Sequence, residues 1–206
     1  HGRHPDWLVG IGGVMADQGV RRLDEAERYC RLALDVDPNY RPAIQTTTEA
    51  YMKAGRYSEA LAMFDFYPHI TNSSPELAMD RAYCLAYVGQ VEQGSSAFQA
   101  AMPKAKGEID RVEKMSRLLE AKDRVDLDGS LIRLLLLLDE QNPDALLLAA
   151  KRDNDYGNYQ SAVESAERGL TLDPVNIGLQ VQKARALYGK GAKESAESQL
   201  NALAKA

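Results

Sequence analysis

Few side chains in this 206-residue chain combine the types and spacings that catalysis needs. Its three histidines are His1, His4 and His69, and its two cysteines are Cys30 and Cys84. His1 and His4 lie at the start of the chain and His69 follows a helix-ending proline, so no His/Cys cluster with zinc-ligand spacing can be assembled. No serine or cysteine has a histidine at a spacing that would make it an activated nucleophile. The run Gly10-Ile11-Gly12-Gly13 has neither the preceding strand nor the pattern of a phosphate-binding loop. Asn72-Ser73-Ser74 fits a glycosylation sequon and reads as a turn. No catalytic residue, metal or cofactor is expected, and the remaining chemistry is recognition.

The bulk numbers agree with a packed, water-exposed chain. Hydrophobic residues make up 45% and charged residues 27%, an ordinary globular balance. The net charge is −5, with 25 basic residues interspersed among 30 acidic ones, so the basic footprint of a nucleic-acid binder is missing. The leucine run at residues 134–138 is far shorter than the roughly 20 residues that cross a bilayer and is assigned to core packing. Cys30 and Cys84 fall on helix faces that pack and are expected to be buried. The chain opens at His1 without methionine or a signal-peptide pattern, which reads as a processed form or an excised piece.

The elements that position these residues follow from a repeat. Arg21, Gly55, Gly89, Asp126, Gly157 and Gly191 each open a similar pattern, with gaps of 34, 34, 37, 31 and 34 residues. Small or apolar residues follow each anchor at helical spacing, as in Gly157, Ala162, Ala166, Gly169 and Pro174. Stacked two-helix units require such a period, because each buries its apolar face only against its neighbour. Helical hairpins are expected over residues 42–54 with 57–67, 76–88 with 91–102, 109–122 with 129–140, 144–156 with 159–172, and 177–190 with 192–205. Ala26, Ala60, Ala162 and Ala196 mark close helix crossings, and Asp37-Pro38, Asn142-Pro143 and Asp173-Pro174 stop helices.

Departures from the pattern carry expectations of their own. Gly10, Gly12 and Gly13 each cost about 1 kcal/mol against alanine in a helix, so the first helix, residues 7–18, is expected to be frayed. The 37 and 31 gaps place three added residues around 103–107, three missing ones between 143 and 146, and a shift in the fourth hairpin. The third unit lacks a terminal proline, with Lys106 in its place. Leu200 and Leu203 on the last helix lack a following helix to face, which suggests a longer protein or a covering molecule.

The chain resembles the tetratricopeptide repeat family. Gly55-Arg56-Tyr57 and Gly157-Asn158-Tyr159 match its turn, and Leu170-Thr171-Leu172-Asp173-Pro174 matches its exit. The resemblance covers nearly the whole chain and implies an all-α, right-handed α-solenoid, a single array of about six hairpins over residues 7–40, 41–74, 75–108, 109–142, 143–176 and 177–206. It also implies a concave groove lined by the first helix of each hairpin, in which protein or peptide partners bind. Matched positions put Gln45, Glu49 and Met52 in that groove, then Met79, Tyr83 and Tyr87, and then Ser116, Glu120 and Asp123. Leu147, Lys151 and Asn154 follow, and last Val181, Arg185 and Tyr188. The Met and Tyr residues read as anchors, and Lys151 and Arg185 as holders of an acidic group. The family's lysine-and-asparagine clamp for C-terminal carboxylates is missing, since Gln45, Glu49, Met79 and Asp80 occupy its place.

The resulting expectation is a non-enzymatic protein-interaction scaffold that binds no nucleic acid and does not insert into a membrane. Two alternatives accompany it. One is a segment of a bacterial exopolysaccharide-export or pilus-assembly machine that recruits a periplasmic enzyme. The other is a self-associating array whose uncapped last helix makes a homo-oligomer.

Overall fold

The structure is a computed structural model that describes residues 4–105 and 108–204; His1 and Lys106, named above, and the range ends 107, 205 and 206 lie outside them. The described residues are helical throughout, without strands: α1 (Pro5–Asp17), α2 (Leu23–Val36), α3 (Arg41–Lys53), α4 (Tyr57–Phe66), α5 (Pro68–Ser73), α6 (Pro75–Tyr87), α7 (Val91–Ala101), α8 (Ile109–Ala121), α9 (Val125–Leu138), α10 (Pro143–Asp155), α11 (Tyr159–Leu172), α12 (Ile177–Gly189) and α13 (Lys193–Leu203). Proline at the first turn of α1, α3, α5, α6 and α10 supplies a preset φ where no amide donor is needed. Three starts are also capped by side chains: Ser74 Oγ accepts from the Leu77 amide, Asn142 Oδ1 from Asp144 and Asn176 Oδ1 from Leu179.

Successive helices pack as hairpins, α1 on α2, α3 on α4, α6 on α7, α10 on α11 and α12 on α13. Each hairpin turns through one residue with left-handed backbone: Gly55, Gly89, Gly157 and Gly191, with Gly19 in the first and Asp123 in the fourth. Asp123, at φ 56°, corrects the sequence reading. Counted at these residues, the last five turns are uniformly 34 apart, and the first gap, Gly19 to Gly55, is 36. The 37 and 31 gaps arose from anchoring the fourth unit on Asp126, three residues late. Glycine marks the left-handed turn elsewhere, but aspartate also tolerates that region because its short polar side chain can bond locally. In keeping with this, α9 begins at Val125 rather than at 129.

The corrected register identifies the close-crossing residue of each of the last five hairpins, five positions after the turn. Ala60, Ala162 and Ala196 occupy it and are buried. Gly94 takes it in the third hairpin, where an added Cβ would sit 2.6 Å from both the Ala82 carbonyl oxygen and the Ala86 nitrogen. In the fourth hairpin it is Asp128, a fully buried carboxylate.

Contacts divide the chain into two compact units, His1–Arg111 and Val112–Ala206. The first is built around Ile44, Phe64, Leu77, Met79 and Phe98, and the second around Met115, Leu119, Leu131, Leu146 and Leu179, all essentially inaccessible. Each such side chain contributes about 1.5–3 kcal/mol on burial. Cys30 and Cys84 are both buried, as expected.

Four further local expectations meet corrections. Helix α1 is regular over its glycines, because Gly12 lets it approach α2 so closely that a Cβ would meet Cys30 Sγ at 2.9 Å. The packing gained there offsets the propensity lost. Pro68 ends one helix and also opens the short α5, whose last turn holds Asn72 and Ser73, while Ser74 is the buried cap of α6 rather than part of an open turn. The apolar run 134–138 is only partly core: Leu135 is buried, but Leu137 is 81% exposed, because five consecutive residues run all round a helix and only one side of α9 packs. On α13, Leu200 is exposed and Leu203 half-buried.

Candidate functional site

The uniform turn makes equivalent positions on the first helices countable, ten, six and three residues before the left-handed residue. In unit 1 these are Gln45, Glu49 and Met52 on α3 and Met79, Tyr83 and Ala86 on α6, with Tyr87 beside them. The half-buried Gln45 Nε2 donates to Glu49 Oε1 at 2.9 Å. Glu49 also lines a cleft of about 330 Å³ between α1 and α3, together with Asp17, Thr46 and Lys53. Met79 is fully buried and Met52 nearly so, which makes them packing residues without surface to offer a partner.

The tyrosines form a cluster whose third member the groove assignment missed. Tyr57, the first residue of α4, stacks on Tyr87 with ring centroids 3.7 Å apart, and its centroid lies 5.8 Å from that of Tyr83. Tyr83 is 8% exposed and its phenol pKa is pushed up, chiefly by burial, whereas Tyr87 is 43% exposed. Tyr83 and Tyr57 therefore form a platform and Tyr87 its accessible face. Tyr57 is visible in the sequence as the aromatic of the Gly55-Arg56-Tyr57 turn, although its side chain meets the next hairpin only once the helices pack.

In unit 2 the misplaced anchor displaced two residues. Ser116 is buried and donates to Asp128 Oδ1 at 2.6 Å, and Asp123 is the turn itself, so neither lies on the row. The equivalent positions on α8 are Glu113, Arg117 and Glu120. On α10 they are Leu147, half-buried against the Ala150, Ala166 and Leu179 cluster, Lys151, and Asn154. On α12 they are Val181, Arg185 and Tyr188, all exposed.

Charges tie these helices together. Glu113 Oε1 accepts from Arg117 Nη2 at 2.5 Å and from Lys151 Nζ at 2.9 Å, the second bond bridging α8 and α10. Lys151 first, then Arg117, hold the Glu113 carboxyl below its ordinary pKa. Arg185 Nη1 pairs with Asp155 Oδ1 at 2.7 Å, bridging α12 and α10. The exposed Glu120 is pushed the other way, by desolvation of its carboxyl and by Asp128 and Asp155. Tyr188 carries Lys193 Nζ 5.4 Å from its ring centroid. Asn154 is buried and donates to the Gln182 carbonyl at 2.9 Å, which makes it a joint between α10 and α12 rather than an open contact.

Beneath this row lies a buried ionic network. Asp128 accepts from Ser116 and, at 2.8 Å, from Arg152 Nε, and Arg152 Nη1 donates to Asp153 Oδ1 at 3.0 Å. The Arg152 guanidinium lies 4.9 Å from the Tyr156 ring centroid. Burial raises the Asp153 pKa against the opposing pull of Arg152. Every charge here is paired, which is how a buried carboxylate is tolerated at a crossing point. Among the described residues no group of three or more His, Cys, Asp or Glu side chains could hold a metal ion, and no helix is long and apolar enough to cross a membrane.

Comparison with known proteins places this arrangement. Residues 18–82 match the tetratricopeptide repeat family model. Cellulose synthase operon protein C of Xanthomonas axonopodis pv. citri (strain 306) is 27% identical over 186 residues, covering 81% of this chain and 12% of that protein, so the chain spans only about 12% of its curated relative. Among solved structures, a tetratricopeptide repeat protein from Parabacteroides merdae ATCC 43184 superposes with a TM-score of 0.62 at 15% identity, over 99% of this chain and 80% of that one. PilW, a type IV pilus biogenesis factor, gives 0.61 at 16% identity, over 95% and 92%. Both likenesses are of fold. The family match covers residues 18–82, and the hairpins with their recurrent left-handed turn extend the same pattern: the chain is an all-α helical repeat protein of tandem helix-turn-helix hairpins, with the α-solenoid fold of tetratricopeptide repeat proteins.

Proposed function

We propose that the chain is a non-enzymatic scaffold that binds protein or peptide partners through side chains on the first helices of its hairpins. One observation carries this reading: the rows on these helices present side chains of binding character, Tyr87 over its tyrosine platform in unit 1 and Arg117, Lys151 and Arg185 in unit 2, on a framework held by buried packing. Exposed aromatic and arginine side chains on a rigid support lose little entropy on docking. The test is affinity capture with the intact chain and with Tyr87→Ala, with quantitation of each retained protein at matched helicity. A partner should be retained several-fold less by the variant, and equal retention of every bound protein would reject the reading.

A second, finer reading has its own support. The relative named for a cellulose synthase operon, together with the fold shared with a pilus biogenesis factor, favours a segment of a bacterial envelope machine that recruits a periplasmic enzyme. Fractionation of the producing cells checks it: the parent protein belongs in the envelope or periplasmic fraction, and a purely cytosolic distribution contradicts it. The exposed Leu200 on α13 supports a homo-oligomer instead, which light scattering over a concentration series would register as a rising mass.

A further inference from the structure

Arg117, Lys151 and Arg185 are spaced 34 residues apart and occupy the same position on three consecutive first helices, α8, α10 and α12, all within unit 2. Recognising them as one row depends on the turn at Asp123, since the anchor three residues later puts Glu120 in place of Arg117. Their side chains are 66%, 39% and 49% exposed. Two carboxylates serve the three: Glu113 takes both Arg117 and Lys151 on a single oxygen, and Asp155 takes Arg185. Guanidinium and ammonium groups carry five and three donors, more than one shared carboxylate oxygen engages. Each rung is thus anchored by an ion pair and, being exposed, keeps donors that its carboxylate does not engage.

Helix α10 packs on α12, the Glu113–Lys151 pair joins α8 to α10, and helices packed side by side are roughly 8–10 Å apart. A polyproline II segment has three residues per turn and rises about 9 Å per turn, so every third side chain falls on one face at that interval. A β-strand does not match, because its residues i and i+3 point to opposite faces. We infer that Arg117, Lys151 and Arg185 form a three-rung cationic ladder for an extended, polyproline II-like acidic segment of a protein partner, with a carboxylate at every third residue. This rests on the scaffold reading and adds to it the chemistry and spacing of the ligand.

The test measures fluorescence anisotropy of a labelled peptide of three tandem Glu-Pro-Pro units against the full 206-residue chain. A peptide of the same composition with its glutamates contiguous, and a single-stranded DNA oligomer of equal charge, are the comparisons. The tandem peptide should bind, weaken with added salt, and bind about fivefold more tightly than the contiguous one. Arg117→Gln, Lys151→Gln and Arg185→Gln should each weaken it by roughly threefold to fivefold. Lys183→Gln, a cation on α12 that pairs with Glu167 of α11 and lies off the row, should leave it unchanged. The helical circular dichroism melt verifies folding, and Arg117 and Arg185, the most exposed rungs, remain informative if Lys151→Gln unfolds. No binding of the tandem peptide, equal binding of the contiguous one, tighter binding of the DNA, or an equal effect of Lys183→Gln would each overturn the ladder. The scaffold reading is judged separately by capture through Tyr87, so a partner lost with Tyr87→Ala while the peptide stays unbound removes the ladder alone.

Discussion

At the scale of single residues, Asp123 is the position that sequence reasoning misassigned most instructively. It fills a turn that glycine fills elsewhere, at φ 56°, where a β-branched side chain is strained. Asp123→Val is expected to lower stability by about 1–2 kcal/mol, and Asp123→Asn to leave it nearly unchanged; urea denaturation of both variants decides, and equal midpoints would remove the strain argument. Glu113 has a folded pKa below its unfolded one, so its contribution is present above the ordinary carboxylate pKa and is lost as pH falls through the depressed folded value. Because the pair is a third exposed, Glu113→Gln should cost only about 0.5–1 kcal/mol at neutral pH. The gap between the variant and the native chain should close in acid, and a gap constant with pH would refute the assignment.

At the scale of elements, two glycines with identical helix propensity play opposite parts. Gly10 in α1 has nothing within 4 Å of where a Cβ would stand, whereas at Gly94 in α7 the Cβ would run into the α6 backbone. Gly10→Ala should raise stability by roughly 0.5–1 kcal/mol, while Gly94→Ala should lower it by about 1–3 kcal/mol, since backbone cannot yield as a flexible side chain does. Thermal melts that moved both variants the same way would show that propensity, and not helix approach, governs these sites. The hydrophobic helix faces and their proline starts were legible in the chain order. The short α5 was not, because Pro68 signals equally the end of one helix and the first turn of another.

At the scale of the whole molecule, repeat arrays are stabilised by neighbouring contacts, so damage should remain local. Arg152 is the most informative place to strike, because its removal leaves Asp128 buried and uncompensated in unit 2. Arg152→Ala should cost about 3–5 kcal/mol, and a double variant Asp128→Ala with Arg152→Leu should recover most of that loss. Hydrogen exchange should rise in α9 to α11 on Arg152→Ala while the amides of α3, α4 and α6 keep their protection. Loss of protection in all of these helices together would mean that the two units open as one cooperative body.

The amino-acid sequence by itself determined the class of molecule: a 34-residue period, small residues at crossings and proline stops describe helical hairpins, because those patterns report local backbone preference and one-sided burial. It also brought Tyr83, Tyr87, Lys151 and Arg185 into view. Only the tertiary structure decided the register of the fourth hairpin, where Asp123, three residues before the Asp126 anchor that the sequence pattern offered, takes the turn and Asp128 the crossing that small residues fill in its neighbours. It also decided which groove candidates have surface to offer, separating the buried Met79, Ser116 and Asn154 from the exposed Tyr87 and Arg185. Spacing along a helix tells which side chains share a face, but accessibility and ion pairing depend on the neighbouring helix, whose approach is set by contacts between residues far apart in sequence.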